Sequence, residues 1–178
     1  LHAIEDISAT MVLERAGASK SSMYHFFEDF SDLLEETYVV RFGETVRTSI
    51  LVIEKIIAKS NTKEEFFVAL DRLTKATQDR KLAQIRFSRA RELARSERHE
   101  KFQKSLGALQ QKLTDSLTLA FETAQEKGFL NKNFEARTGA VFIQAYTLGR
   151  IVDDVTTTHM NDDDWEKLIG RIAREVLG

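Results

Sequence analysis

Residues 8 to 34 read SATMVLERAGASKSSMYHFFEDFSDLL. The apolar residues Val12, Ala16, Ala18, Met23 and Phe26 fall on either side of Gly17. That arrangement predicts two short helices meeting across a tight turn, with Gly17 supplying the positive φ that such a turn requires. Ser19 is placed to cap the second helix. Its outer face then presents Lys20, Ser21, Ser22, Tyr24 and His25. Hydroxyls and tyrosine suit phosphate oxygens, and lysine and histidine suit base edges in a major groove. Spacing alone fits an ordinary turn between packed helices equally well, with Lys20 and His25 merely solvated.

Working outward, helical periodicity runs through the rest of the 178 residues. A long helix over about 31–59 turns Leu34, Tyr38, Phe42, Val46, Ile50, Ile53 and Ile57 inward. Thr62 with Glu65 reads as a capping box, and a helix over about 81–94 follows. Phe102, Leu106, Leu109, Leu113, Leu117, Ala120, Phe121 and Ala124 form one stripe that stops at Gly128. The stretch from Ala140 to Val155 is apolar around nearly its whole circumference. It reads as one helix buried on all sides; one side faces its own protomer and the other a second copy, with Gly149 allowing close approach. Asn161 caps a last helix whose first turn carries Asp162, Asp163 and Asp164, where the helix dipole favours negative charge. Its stripe includes Trp165, Ile169, Ile172 and Val176.

Composition points the same way. There is no proline, where average usage gives about nine, and there are eight glycines. A chain poor in helix breakers and turn formers is an all-α chain, not a sandwich. The absence of cysteine excludes disulfides, zinc–thiolate sites, iron–sulfur clusters and thiol catalysis. No apolar run approaches the ~20 residues that span a bilayer, and no signal peptide is visible. A soluble, cytoplasmic protein without membrane association is expected. The chain opens at Leu1, so upstream residues are expected as well.

Residues Ser8 to Leu34 resemble the helix-turn-helix of the tetracycline-repressor (TetR) family. The family pattern is a Ser or Thr cap, a short helix ending in Ala-Gly, then Val-Ser-x-x-x-Leu-Tyr, an aromatic pair and a Leu-Leu. Ser8, Ala16, Gly17, Ser19, Tyr24, Phe27, Leu33 and Leu34 carry the match, while Leu13, Phe26 and Phe30 depart from it. The resemblance implies a DNA-binding domain over residues 1–45, its first helix lying before Leu1, and an effector-binding and dimerisation domain over residues 46–178. It implies a recognition helix over Ser19 to His25, with Ser8 and Thr10 near phosphates at the start of the preceding helix. The partners implied are double-stranded operator DNA, a small-molecule effector and a second copy of the chain. The activity implied is a transcriptional repressor released by a small, largely apolar effector.

Candidate pocket residues are the aromatic and apolar Phe66, Leu70, Phe87, Phe102, Phe121, Phe142 and Tyr146, with Arg89, Gln110 and Gln144 as polar anchors. Candidate interface residues are Ile143, Ile151, Val155, Trp165, Ile169, Ile172 and Val176. Nine basic residues between Arg80 and Lys104 face three glutamates. They read as a solvated face, or as a seat for an anionic effector or an acidic surface. No metal, cofactor or catalytic site is expected. His2, His25, His99 and His159 have no partner at helical ligand spacing, and no phosphate loop or nucleophile elbow occurs. Asp153, Asp154, His159 and Asp162 fall near one helix junction, where capping by surface acids is the simpler reading.

Two observations favour an alternative: Phe30 stands where the family pattern opens the next helix with a lysine, and the first 47 residues are acidic. Over residues 1–47, Arg15, Lys20, Arg41 and Arg47 stand against Glu5, Asp6, Glu14, Glu28, Asp29, Asp32, Glu35, Glu36 and Glu44. Phosphate neutralisation dominates affinity for nucleic acid. The alternative is therefore a TetR-like ligand-binding or interaction module with weak or lost DNA binding.

Overall fold

The computed structural model describes residues 7–178; His2, Glu5, Asp6 and the start of the first expected domain lie outside it. All regular structure among the described residues is helical. The order is α1 (Ala9–Ala16), α2 (Lys20–Phe26), α3 (Phe30–Lys59), α4 (Lys63–Gln78), a 3₁₀ turn (Arg80–Leu82), α5 (Ala83–Ser96), α6 (Glu100–Glu126), α7 (Ala136–Gly149), α8 (Ile151–Asp154) and α9 (Asp162–Ile172), closed by a π-turn (Ala173–Leu177). No helix among them is long and apolar enough to cross a membrane.

Local chemistry sets the helix ends. Asp29 caps α3 through the Asp32 N–H at 2.8 Å. At α4 the Glu65 N–H donates to Thr62 Oγ1 at 3.1 Å. The Glu65 carboxylate accepts in return from the Asn61 N–H at 2.8 Å, one residue upstream of a standard box. Gly128 takes φ 73° after α6, and the Phe129 N–H then reaches the Ala124 carbonyl at 2.9 Å.

The long helices α3 and α6 pack along each other, α7 lies against α6, and α9 lies against α4. Phe42, Val46, Phe102, Leu106, Leu113, Leu117 and Ala140 form one core. A second core gathers Phe66, Phe67, Phe121, Ala124, Phe129, Leu130 and Ala136. Helix α3 runs through the boundary expected at residue 45 and contributes to both cores, so one rigid rod joins the N-terminal pair of helices to the rest.

Two expectations about the C-terminal third need correction. The stretch from Ala140 to Val155 is not one uniform helix. It tightens at Arg150, where the Asp153 N–H takes the Arg150 carbonyl at 2.9 Å, and continues as the single turn α8. Arg150 is buried, with its guanidinium drawn to the Gln78 carbonyl and the Asp162 carboxylate. The last stripe also does not end as α-helix. The Asn131 N–H and side-chain amide take the Leu177 and Val176 carbonyls, each at 2.8 Å, and the chain widens to a π-turn there.

Candidate nucleic-acid interface and effector cavity

Ser8 caps α1, its hydroxyl accepting from the Met11 N–H at 3.3 Å. Gly17 takes φ 61°, and its N–H and that of Ala18 close α1 on the Glu14 and Leu13 carbonyls. Ser19 then caps α2 by accepting from the Ser22 N–H at 3.0 Å. Met23 is the one buried side chain of α2 and fixes which way the helix faces. Thr10, Ser19, Lys20, Ser21, Ser22, Tyr24 and His25 are all exposed. The Lys20 ammonium lies 6.0 Å from the Tyr24 ring, so cation and phenol occupy one patch. His25 and Phe26 meet edge to face at 4.8 Å, and Phe26 is 74% exposed. The hydroxyls of Ser8 and Ser19 serve as caps, and that of Ser19 also shares a hydrogen bond with the Ser22 hydroxyl at 3.0 Å.

Of the acids counted against this region, Asp32, Glu35 and Glu36 sit in the first turns of α3 and pair with basic residues of α5, α6 and the link between them. Lys101 lies 2.7 Å from Asp32 and 3.3 Å from Glu36. Arg95 lies 3.2 Å from Glu35, and its guanidinium also reaches Ser31. His99 is 3.6 Å from Glu35. The hydrogen bond from Lys101, helped by the Glu28 N–H, holds the Asp32 carboxyl below the usual carboxylate range. Counting charge along the chain therefore overstates the negative charge beside α2. The same pairs, with Glu100 on Lys104 at 2.7 Å, also occupy Arg95, Lys101 and Lys104 of the basic run between Arg80 and Lys104.

A cavity of about 350 Å³ opens between α3, α4, α5, α6, α7 and α9. Phe66, Leu70, Arg89, Phe121, Phe142, Gln144 and Tyr146 line it, as expected from their residue types. Gln110 stands one step behind, accepting from Arg89 Nη2 at 2.9 Å while its amide donates to Gln144. Phe102 is a correction: it is buried in the first core against Tyr38, with ring centroids 6.1 Å apart. Phe87 is half-buried and outside the lining. Thr74 and Thr77 line the cavity too. They continue the Phe66–Leu70 stripe at steps of four and three, a legible signal hidden by their being polar. Burial pushes the Tyr146 phenol up, against hydrogen bonds with Thr74 and Thr147.

Neither a family model nor a curated protein matches the sequence. Among solved structures, a TetR-family transcriptional regulator from Mesorhizobium loti MAFF303099 superposes with a TM-score of 0.71. The match covers 98% of this chain and 88% of that one at 14% identity. The chain has the TetR fold.

Within this TetR-like body, three expected interface residues face inward instead. Ile143, Ile169 and Ile172 line the cavity, and Ile169 is buried by its own protomer. Helix α7, apolar on nearly every side, does not reveal which side its own fold covers, and the one apolar stripe of α9 is turned to the cavity. Trp165 is half-buried, its indole N–H donating to Gln78 Oε1 at 3.0 Å, and Ile151 is also half-buried. Val155 and Val176 are exposed, together with Val141, Val152 and Leu168. Gly149, expected at a close approach, has open space around it, whereas Gly139 is tight against Phe121 and Phe134.

The acids at the last junction do converge, onto arginines. Asp154 is held by Arg86 through two hydrogen bonds, and both side chains are buried. Arg80 reaches the Met160 carbonyl at 3.1 Å and Asp162 at 3.4 Å. Asp153 receives the Met160 N–H and lies 3.6 Å from His159. This network ties the α4–α5 junction of the TetR fold to the α8–α9 junction. Among the described residues no cluster of acids and histidines is placed to hold a metal.

Proposed function

We propose that the chain is a DNA-binding transcriptional regulator. It is a cytoplasmic homodimeric repressor that leaves its operator when a small, largely apolar effector fills the cavity. The observation that carries this reading is the outward face of α2: Lys20, Ser21, Ser22, Tyr24 and His25 are all exposed on a helix anchored by Met23 and capped by Ser19. Two such helices spaced about 34 Å apart match successive major grooves on one side of a duplex. The exposed valines of α7 and α8, with Leu168 and Val176, supply an apolar surface for a second copy. An effector acts here only by binding one spacing of the recognition helices better than the other. Helix α3, shared by both parts, is the rod along which that preference travels.

The test is a mobility-shift titration against the DNA upstream of the chain's own coding sequence. Wild type binds. Tyr24→Ala, with an unchanged melting temperature, binds about tenfold more weakly, in line with ~1–3 kcal/mol per good contact. Equal binding removes α2 from the contact set. Val152→Asp, which places a charge in the proposed subunit contact, sediments as a monomer. A second reading, an interaction module without DNA binding, is favoured by the exposed Phe26 ring beside His25. Absence of any shift even at low salt supports that reading.

A further inference from the structure

Two charged side chains line the cavity among the described residues, and they differ in their surroundings. Asp71 is gripped by Arg174 through two hydrogen bonds, at 2.9 and 2.6 Å. Arg89 has no carboxylate partner among the described residues. One guanidinium nitrogen donates to the neutral Gln110 at 2.9 Å, and the group lies 5.3 Å over the Phe42 ring. Its Nε is buried without a hydrogen-bond partner. Burial pushes the guanidinium pKa down, opposed by the nearby Tyr38, yet arginine stays charged in proteins. The cavity thus holds a half-buried cation that no carboxylate among the described residues neutralises, and withdrawing an unpaired charge from water is costly.

We infer that the cavity takes an amphipathic anion, with an apolar body among the phenylalanines and isoleucines and a carboxylate on Arg89. This rests on the effector-cavity reading above and narrows its ligand class. Two features fit. Gln144 lines the cavity with Arg89, and Gln110 behind it keeps one amide N–H beyond its bond to Gln144, so the head group meets polar side chains rather than hydrocarbon. The rest of the lining is mainly apolar, with Phe66, Phe121 and Ile169 among it. A planar guanidinium also matches a carboxylate fork in geometry.

Isothermal calorimetry with decanoate, decanol and methyl decanoate on the whole chain decides the matter. Decanoate is expected to bind about tenfold or more tightly than either neutral probe. Arg89→Gln should bring the three within about twofold while decanol affinity is kept, and Arg89→Lys should keep part of the preference. Thermal melting of both variants checks that they fold, and retained decanol binding checks that the cavity survives. Decanol binding as tightly as decanoate to wild type overturns the anion inference and leaves the apolar-effector reading standing. A preference that survives Arg89→Gln also overturns it, because the anion then sits elsewhere. Binding of none of the three probes brings down the effector-cavity reading together with the inference.

Discussion

The two ends of this molecule put their chemistry in opposite places. In α1 and α2 the one buried side chain is Met23, and everything offered to a partner lies outside. In the C-terminal body two cores enclose a cavity, and what is offered to a ligand lies inside. The first arrangement needs only caps and a turn. The second needs six helices to agree. Substitutions should therefore cost stability in the body and affinity at the N-terminal end.

The largest stability loss is expected at the buried pair in the body. Arg86→Ala leaves Asp154 buried without its partner and should cost about 3–5 kcal/mol in urea unfolding. A loss under about 1 kcal/mol would show that water reaches the pair. Acid tests the same pair without mutation. Hydrogen bonding from Arg86 holds the Asp154 carboxyl below its ordinary value, against desolvation. The stability it adds is therefore fully present above about pH 4, the unfolded-state pKa, and is lost as pH falls through the lower folded value. Asp154→Asn should be less stable at neutral pH and show a flatter acid limb in melts across pH.

A smaller loss is expected at Gly139. A Cβ there would meet Phe121 at 2.6 Å and Phe134 at 2.7 Å, two rings with little room to move. Gly139→Ala should cost about 1–3 kcal/mol by overpacking. In the N-terminal pair, Gly17→Ala meets no atom within 4 Å, so only the left-handed backbone resists it; the expected cost is about 1–2 kcal/mol. The smallest effect belongs to Tyr24→Ala, expected within about 0.5 kcal/mol of wild type because the ring is more than half exposed. A large melting shift for Tyr24→Ala would erase the contrast between the two ends.

Much of the fold was legible from residue order. Ser8, Gly17, Ser19, Thr62, Gly128 and Asn161 each punctuate a helix where expected, because a cap is decided within about four residues. The α2 face was legible for the same reason: Met23 points in, so Tyr24 and its neighbours point out. The cavity was legible only in part. Residue type picked out Phe66, Phe121 and Tyr146, which line the cavity, but also drew in Phe102, whose ring belongs to a solid core. Ile143 sits on a helix that is apolar around most of its circumference, and the single apolar stripe of α9 that carries Ile169 is used inside its own protomer. The acids of α3 looked hostile to DNA until α5 and α6 brought Arg95, His99 and Lys101 beside them.

Residue order alone determined the helices, their ends and the bihelical hook around Gly17, since hydrogen bonds between near neighbours and a repeat of three and four settle these. Tertiary packing alone decided the tightening at Arg150, the arginine network and the cavity walls. It also left Arg89 facing an apolar space without an acid. Burial and charge pairing depend on which distant side chains arrive, and Arg86 meets a carboxylate 68 residues away while Arg89, three positions on, meets a glutamine.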